Sequence, residues 1–126
     1  MMGLINQTSR PLSGAEGNET RFGVGHFDLI IIDPPAFAKR KSEIDSALSS
    51  YARLTQLGLA LLERNGTIVL ASCSSRIDAE RFFTTVHAAA HQAGRPLHER
   101  LRTGHAVDHP IGFAEGAYLK CLYAVA

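Results

Sequence analysis

The pattern of apolar and polar positions is clearest in an isoleucine-rich apolar run that begins at Phe27 and ends in Asp33, Pro34 and Pro35. A short apolar run bounded by breakers is typical of a strand buried on both faces of a parallel sheet. Proline has no N–H and a fixed φ, so the two prolines end the strand abruptly. The pattern predicts a strand over residues 27–33 with a carboxylate at its carboxyl end, where open α/β sheets bind ligands.

A helical period follows this strand. Apolar residues recur at steps of three and four over residues 44–61, which predicts a helix with one buried face. Ser42, with Asp45 three residues later, is expected to cap the start of this helix. Asn65 and Gly66 are expected to end it.

The next apolar segment, residues 67–72, predicts a second buried strand. A strand, a helix and a strand at this spacing predict a crossover unit with two parallel strands. A second amphipathic helix is then expected, capped by Asp78 or Ser75 and closed by Gly94.

Two further strands are predicted near the end of the sequence, a weaker one over residues 97–101 and a strong one over residues 118–125. If they pair antiparallel, the long loop over residues 102–116 leaves the sheet at the edge that carries Asp33. Long loops at such an edge are usually functional. The polar residues of this loop, with one proline, are His105, Asp108, His109, Pro110 and Glu115.

Residues 1–21 are polar and show no period, so we interpret them as an irregular lead-in ahead of one domain over residues 22–126. The 126 residues, 45% of them hydrophobic, suffice for one core. The formal net charge of +1 favours no class of partner. No segment is long and apolar enough to span a membrane, and two cysteines without a disulfide framework favour a cytoplasmic location.

Candidate chemistry comes from Asp33 and Cys73, which end neighbouring predicted strands and therefore face one crevice. A thiolate that attacks an electron-poor ring such as cytosine, with a carboxyl group at the ring nitrogen, would use such a pair. The alternatives are a small buried cysteine and a turn or capping acid. Phe37 fits core packing and base stacking equally well. His87 and His91 lie four residues apart but have no evident third ligand, so no metal site is predicted.

The segment from Phe27 to Phe37, with Lys41, resembles motif IV of class I S-adenosylmethionine-dependent methyltransferases. More narrowly, its D-P-P-x-F-x-x-x-K pattern resembles the bacterial 23S ribosomal RNA cytosine-C5 methyltransferases. Further matches follow in order over roughly residue 22 to the end of the sequence. They are Tyr51, Asn65-Gly66, Ser72-Cys73-Ser74, Asp108-His109-Pro110 and the segment from Glu115 to Cys121.

The resemblance implies a function and a set of site residues. It implies methyl transfer from S-adenosylmethionine to cytosine C5 of ribosomal RNA, with Cys73 as the nucleophile and Asp33 in contact with the base. It places the methionine end of the cofactor near Asp33 and Pro34. The implied substrate-binding residues are Pro34, Pro35, Phe37 and Lys41.

The resemblance also implies a fold, the carboxyl-terminal part of a Rossmann-like class I methyltransferase sheet. The family's glycine-rich cofactor loop and the acid after its second strand have no match before Phe27. Such a half sheet would expose the strand over residues 27–33 as an open edge, through which a homodimer could form. Two alternatives therefore stand beside the enzyme. One is an inactive fragment or dimerising module, and the other is a methyltransferase directed at exocyclic amines of nucleic acid.

Overall fold

The fold is one five-stranded mixed sheet with two helices, seen in a computed structural model that describes residues 2–5, 26–104 and 118–126. The elements in chain order are β1 (Met2–Ile5), β2 (Phe27–Ile32), a 3-10 turn (Lys41–Glu43), α1 (Ile44–Leu61), β3 (Leu62–Ser72), α2 (Ala79–Gln92), β4 (His98–Thr103) and β5 (Lys120–Val125). The strands lie in the sheet in the order β1-β2-β3-β5-β4. Only β2 and β3 are parallel, and the other three pairs are antiparallel.

The core lies between the two helices and one face of the sheet. Ile30 and Ile32 of β2 are buried there with Ile68 of β3, and α1 packs closely over all three. A Cβ at Gly58 of α1 would lie 2.8 Å from Ile32 Cδ1 and 3.3 Å from Ile68 Cδ1. Only glycine lets the helix backbone come this near to the sheet without displacing a side chain.

The crossover from β2 through α1 to β3 confirms the predicted pair of parallel strands, with Ile30 opposite Ile68 and Ile32 opposite Leu70. The predicted start of the second strand at residue 67 is wrong, because β3 begins at Leu62. Asn65 and Gly66 lie inside this strand rather than at the end of the helix.

The physical reason is a local irregularity of β3. Asn65 takes a left-handed conformation with φ of 65°, which asparagine tolerates better than most residues. Its N–H donates to Ala126 O at 2.8 Å, and the Ala126 N–H donates to Gly66 O at 3.2 Å. Asn65 and Gly66 are therefore held in the sheet by their hydrogen bonds to Ala126.

The two helix starts differ from each other. The predicted Ser42–Asp45 cap of α1 is wrong, because the 3-10 turn precedes the helix and Glu43 occupies the N-cap position without a side-chain cap. The predicted cap of α2 is confirmed for Asp78, whose Oδ1 accepts a 2.8 Å hydrogen bond from Arg81 N. Gly94 follows this helix with φ of 71°, as predicted for a closing glycine.

The predicted antiparallel pairing of the last two strands is confirmed for β4 and β5. In addition, β5 lies between β4 and β3, with Lys120 opposite Ser72 and Leu122 opposite Leu70. The predicted loop residues His105, Asp108, His109, Pro110 and Glu115 lie outside the described residues. Within the described ranges, no helix is long and apolar enough to cross a membrane.

The prediction of an irregular lead-in is wrong for four of its residues. Met2–Ile5 form β1, which pairs antiparallel with β2 from Met2 opposite Ile32 to Ile5 opposite Leu29. Four residues are too few to show a strand period in a polar segment, which is why the pattern missed them. The edge of β2 that was expected to be open is therefore paired with β1, while the domain boundary at residue 22 stays a prediction.

Candidate active site

Asp33 and Cys73 each come directly after one of the two parallel strands. Asp33 follows Ile32 and is exposed, and Cys73 follows Ser72 and is partly exposed. In the pairing of β2 with β3, Ile32 is opposite Leu70. The next residue of each segment follows the same register, so Asp33 is level with Ala71. Cys73 is two residues further along, an offset of roughly 7 Å at the rise of a strand. The structure thus brings the predicted acid and thiol to one edge of the sheet, and their roles stay predictions.

The charge of Asp33 also affects a residue of β5, the strand on the other side of β3. Ala71 is opposite Cys121 of β5, so Asp33, Ala71 and Cys121 follow one another across three strands. Burial raises the pKa of the Cys121 thiol, and the Asp33 carboxylate adds to the rise. A raised pKa disfavours the reactive thiolate of Cys121, and Cys73 stays the predicted nucleophile.

A buried tyrosine of α1 lies beneath this edge. The Tyr51 hydroxyl and Ser72 Oγ are 2.8 Å apart. Burial raises the pKa of Tyr51, and the charges of Cys73 and Asp33 contribute to the rise. Tyr51 is therefore electrostatically close to both candidate residues, although the helical period identified it only as part of a buried face.

Ser74 connects the two segments that carry the candidate residues. Its Oγ donates a 2.6 Å hydrogen bond to Ala38 O, in the segment that follows Asp33. Its N–H donates to Ser72 Oγ at 3.3 Å. Ser72 and Ser74 are both fully buried, so these bonds are shielded from water. The turn around Cys73 is thereby fixed relative to the segment after β2.

The other predicted substrate-binding residues lie along that segment. Pro34 is buried, whereas Pro35 is exposed. The half-buried Phe37 ring packs against Tyr51 with ring centroids 5.1 Å apart, so part of the ring belongs to the core. Lys41 is exposed in the 3-10 turn, where its charge is available to a ligand.

Lys120 is a residue of this region that lies in the matched segment from Glu115 to Cys121 but to which the sequence assigned no role. Its side chain is buried with 5% exposure, and its Nζ donates to Ser74 O and, at 2.8 Å, to Tyr118 O. Burial lowers the pKa of Lys120, while the charges of Cys73 and Asp78 oppose this fall. The signal in the sequence was strand alternation, because Lys120 shares a face with the buried residues Leu122 and Ala124.

The histidine pair of α2 lies elsewhere. His87 Nε2 is 2.6 Å from Glu99 Oε1, and Arg102 binds the same carboxylate while its guanidinium lies 4.2 Å from the centre of the Phe83 ring. His91 is exposed. Among the residues of the described ranges, no group of three potential ligands could hold a metal ion. The His87 contact is a hydrogen bond at the surface, away from Asp33 and Cys73.

The predicted cofactor-binding residues can be placed relative to the sheet. Asp33 and Pro34 are at the site edge, where the methionine end of the implied cofactor is expected. On the other side of β2, however, β1 runs antiparallel, and Met2 rather than Ile5 is opposite Ile32. The carboxyl end of β1 therefore points away from the site edge, so β1 does not lead into a cofactor loop there.

The sequence is similar to those of known proteins. The chain is 40% identical over 97 residues to a ribosomal RNA large subunit methyltransferase of Deinococcus radiodurans, a match that covers 77% of this chain and 24% of the relative. It is 41% identical over 100 residues to ribosomal RNA large subunit methyltransferase I of Shewanella amazonensis, covering 78% of this chain and 25% of the relative. No model of a protein family matches the sequence.

A solved structure has a similar fold. A protein described as a methyltransferase, crystallised with S-adenosylhomocysteine, superposes with a TM-score of 0.65 at 24% identity, over 79% of this chain and 26% of that chain. The fold is Rossmann-like, as in methyltransferases. The predicted fold class is thus confirmed.

The comparisons support the resemblance at a coarser level than the sequence analysis gave it. The relatives are methyltransferases of large-subunit ribosomal RNA, and their names do not specify cytosine or its C5 atom. The chain spans about a quarter of the length of these relatives. The activity of the whole protein therefore remains a proposal for this chain.

Proposed function

We propose that this chain forms part of an S-adenosylmethionine-dependent methyltransferase that methylates cytosine C5 in large-subunit ribosomal RNA. The observation that carries the proposal is the position of Asp33 and Cys73 after two adjacent parallel strands in a sheet of this fold. The names of the relatives support a ribosomal RNA substrate. The catalytic unit is larger than the described residues, because this chain spans about a quarter of the length of its relatives.

The chemistry assigned to Cys73 follows from the reactivity of cytosine. C5 is a poor nucleophile until the Cys73 thiolate adds to C6, which turns the C5–C6 double bond into an electron-rich enamine. Asp33 binds the ring nitrogen and stabilises the adduct. C5 would then take the methyl group that S-adenosylmethionine supplies. A base would remove the C5 proton, after which the C5–C6 double bond reforms and the thiolate leaves. The exposed Asp33 and partly exposed Cys73 are accessible for this sequence of steps.

The cofactor would be held in part by Asp33 and Pro34. S-adenosylmethionine supplies the methyl group when it is bound. The rigid, buried Pro34 fixes the direction of the chain directly after Asp33. The antiparallel β1 means that the remaining contacts must come from residues outside the described ranges or from another polypeptide.

The RNA would contact the segment after β2. The exposed Pro35 and the accessible part of the Phe37 ring offer apolar surface to a base that has left its stack. Lys41 offers a charge to a phosphate. The amine-directed alternative would place an aromatic residue directly after the two prolines, but Ala36 stands there. The dimerising alternative required an open edge at β2, which β1 occupies.

The first test is calorimetric titration of S-adenosylmethionine into the purified chain. We expect no binding at micromolar concentration, because Asp33 and Pro34 hold only the methionine end of the cofactor. Micromolar binding would show that residues outside the described ranges complete the cofactor site, so that no further polypeptide is needed.

The second test replaces the matched segment of the Deinococcus radiodurans relative with residues 26–126 of this chain. We expect the chimera to form 5-methylcytidine in large-subunit ribosomal RNA, with loss of activity in Cys73→Ala and retention in the matched Cys121→Ala variant. Nucleoside mass spectrometry distinguishes a ring C5 methyl from an amine methyl. Full activity of Cys73→Ala, or a methylated amine, would refute the proposed chemistry.

A further inference from the structure

Lys120 is a buried cation that the proposed chemistry does not use. Its Nζ donates to two backbone oxygens, Ser74 O and Tyr118 O. Ser74 O belongs to the residue after Cys73, and Tyr118 lies two residues before Lys120, at the entry to β5. One ammonium group thus joins the turn that carries the candidate nucleophile to the segment that enters β5.

The position of Lys120 is one where packing alone would favour an apolar side chain. Leu122 and Ala124 continue the same face of β5, and both are fully buried. Burying an ammonium group is unfavourable unless hydrogen bonds compensate for the lost water. A lysine at this site therefore suggests a role beyond filling space.

The surroundings of the Lys120 ammonium group include the residues on either side of Cys73. Burial lowers the pKa of Lys120, and Cys73 is the first of the charges that oppose this fall, followed by Asp78. Lys120 is also opposite Ser72, the residue before Cys73, in the register of β3 and β5. The Lys120 side chain is therefore bonded to the residue after Cys73, at Ser74 O, and lies opposite the residue before it, Ser72.

We propose that Lys120 is a positioning residue that fixes the Cys73 turn against the entry to β5 and places a positive charge near the Cys73 sulfur. The relevance of this role to catalysis rests on the proposed function, in which Cys73 is the nucleophile. The contact itself is independent of that function, and so are the experiments that test it.

The first experiment measures the alkylation of Cys73 by iodoacetamide as a function of pH. Cys121→Ala leaves Cys73 as the single thiol. In this background, we expect Lys120→Met to slow alkylation at pH 7 about fivefold and to move the rate–pH profile to higher pH, because a cation near sulfur favours the reactive thiolate. Lys120→Gln keeps N–H donors but removes the charge. It should move the rate–pH profile of alkylation to higher pH by the same amount as Lys120→Met.

The matched control is Leu122→Ala, on the same strand and face, which loses packing without touching Ser74 O or Tyr118 O. We expect the control to leave the rate–pH profile in place, even if its stability falls. Folded Lys120→Met and Lys120→Gln variants with unchanged profiles would overturn the proposal. Circular dichroism and thermal unfolding identify which variants are folded.

The second experiment needs no substitution at Lys120, so it decides the matter if both Lys120 variants unfold. Nitrogen-15 NMR follows the titration of the Lys120 ammonium in the unmodified chain and in Cys73→Ser. We expect the pKa of Lys120 to fall in Cys73→Ser, because the charge of Cys73 raises it in the unmodified chain. An unchanged titration would contradict the proposal. Neither experiment depends on methyl transfer, so an inactive chimera would reject the proposed function alone.

Discussion

The Tyr51 hydroxyl lies 2.8 Å from Ser72 Oγ in the protein interior. This contact joins the middle of α1 to the last residue of β3, directly before Cys73. Ser72 Oγ also accepts the Ser74 N–H, so the hydrogen bonds continue from the helix into the turn. The helix therefore supports the position of Cys73 through a side chain rather than through backbone connection.

The first prediction concerns this hydroxyl pair. We expect Tyr51→Phe to lower the free energy of unfolding by about 1–2 kcal/mol, because a buried hydrogen bond is lost. A double-mutant cycle with Ser72→Ala, measured by urea denaturation, should show coupling of at least about 0.5 kcal/mol. Strictly additive effects would mean that the two hydroxyl groups do not interact in solution.

The second prediction concerns alkaline pH. Burial raises the pKa of Tyr51 above its usual 10.0, so the phenol ionises at lower pH in the unfolded chain than in the folded one. The contribution of the neutral Tyr51 phenol to the free energy of unfolding is therefore complete below about pH 10. It is lost as the pH rises from there through the pKa of Tyr51 in the folded protein. We expect the free energy of unfolding to fall above about pH 10, and to fall less steeply in Tyr51→Phe. Equal slopes for the two proteins would contradict this.

The third prediction concerns Arg95, whose guanidinium donates to four carbonyl oxygens. The acceptors are Leu59 O, Leu62 O, Glu63 O and Ala126 O, at 2.8, 2.9, 3.1 and 3.0 Å. We expect Arg95→Met to destabilise the protein by about 2–4 kcal/mol, since partly buried acceptors lose their donors. Arg95→Lys should recover less than half of this loss, because an ammonium group cannot match the planar donor set.

The control for Arg95 is Arg100→Met, at an exposed position of β4. Its effect should stay within about 0.5 kcal/mol, as for most surface substitutions. Chemical denaturation of the three variants gives the comparison. A similar loss in Arg95→Met and Arg100→Met would show that the carbonyl contacts contribute little.

The fourth prediction concerns the close approach of α1 to the sheet. Gly58→Ala should destabilise the protein by about 1–3 kcal/mol, because the new Cβ would lie 2.8 Å from Ile32 Cδ1. Ile32→Val removes that Cδ1 atom, so the double variant should be more stable than the sum of the two single effects predicts. Additive losses, measured by thermal unfolding, would place the strain elsewhere.

The elements with strong local signals were predictable from the sequence. Asp78 caps α2 through a bond to a neighbouring backbone N–H, and Gly94 takes the positive φ that follows a helix. Both features depend on residues within a few positions of each other. The positions of Asp33 and Cys73 after two parallel strands followed from the apolar runs and the crossover rule.

The features that depend on distant contacts were missed. Asn65 and Gly66 resemble a helix stop, but their pairing with Ala126 holds them in β3. The burial of Lys120 depends on acceptors at Ser74 and Tyr118 that no local pattern reveals. The pairing of β1 depends on the exposed edge of β2, some two dozen residues away in the sequence.

The antiparallel β1 has a consequence for any second polypeptide that would extend the sheet at β2. Such a strand would compete with Met2–Ile5 for the same backbone groups, so the free energy of the existing pairing would be subtracted from its binding energy. Met2–Ile5 are covalently joined to β2, so their effective concentration at this edge does not depend on the concentration of the protein, unlike that of a second polypeptide. Association at this edge becomes an exchange of strands rather than a simple addition.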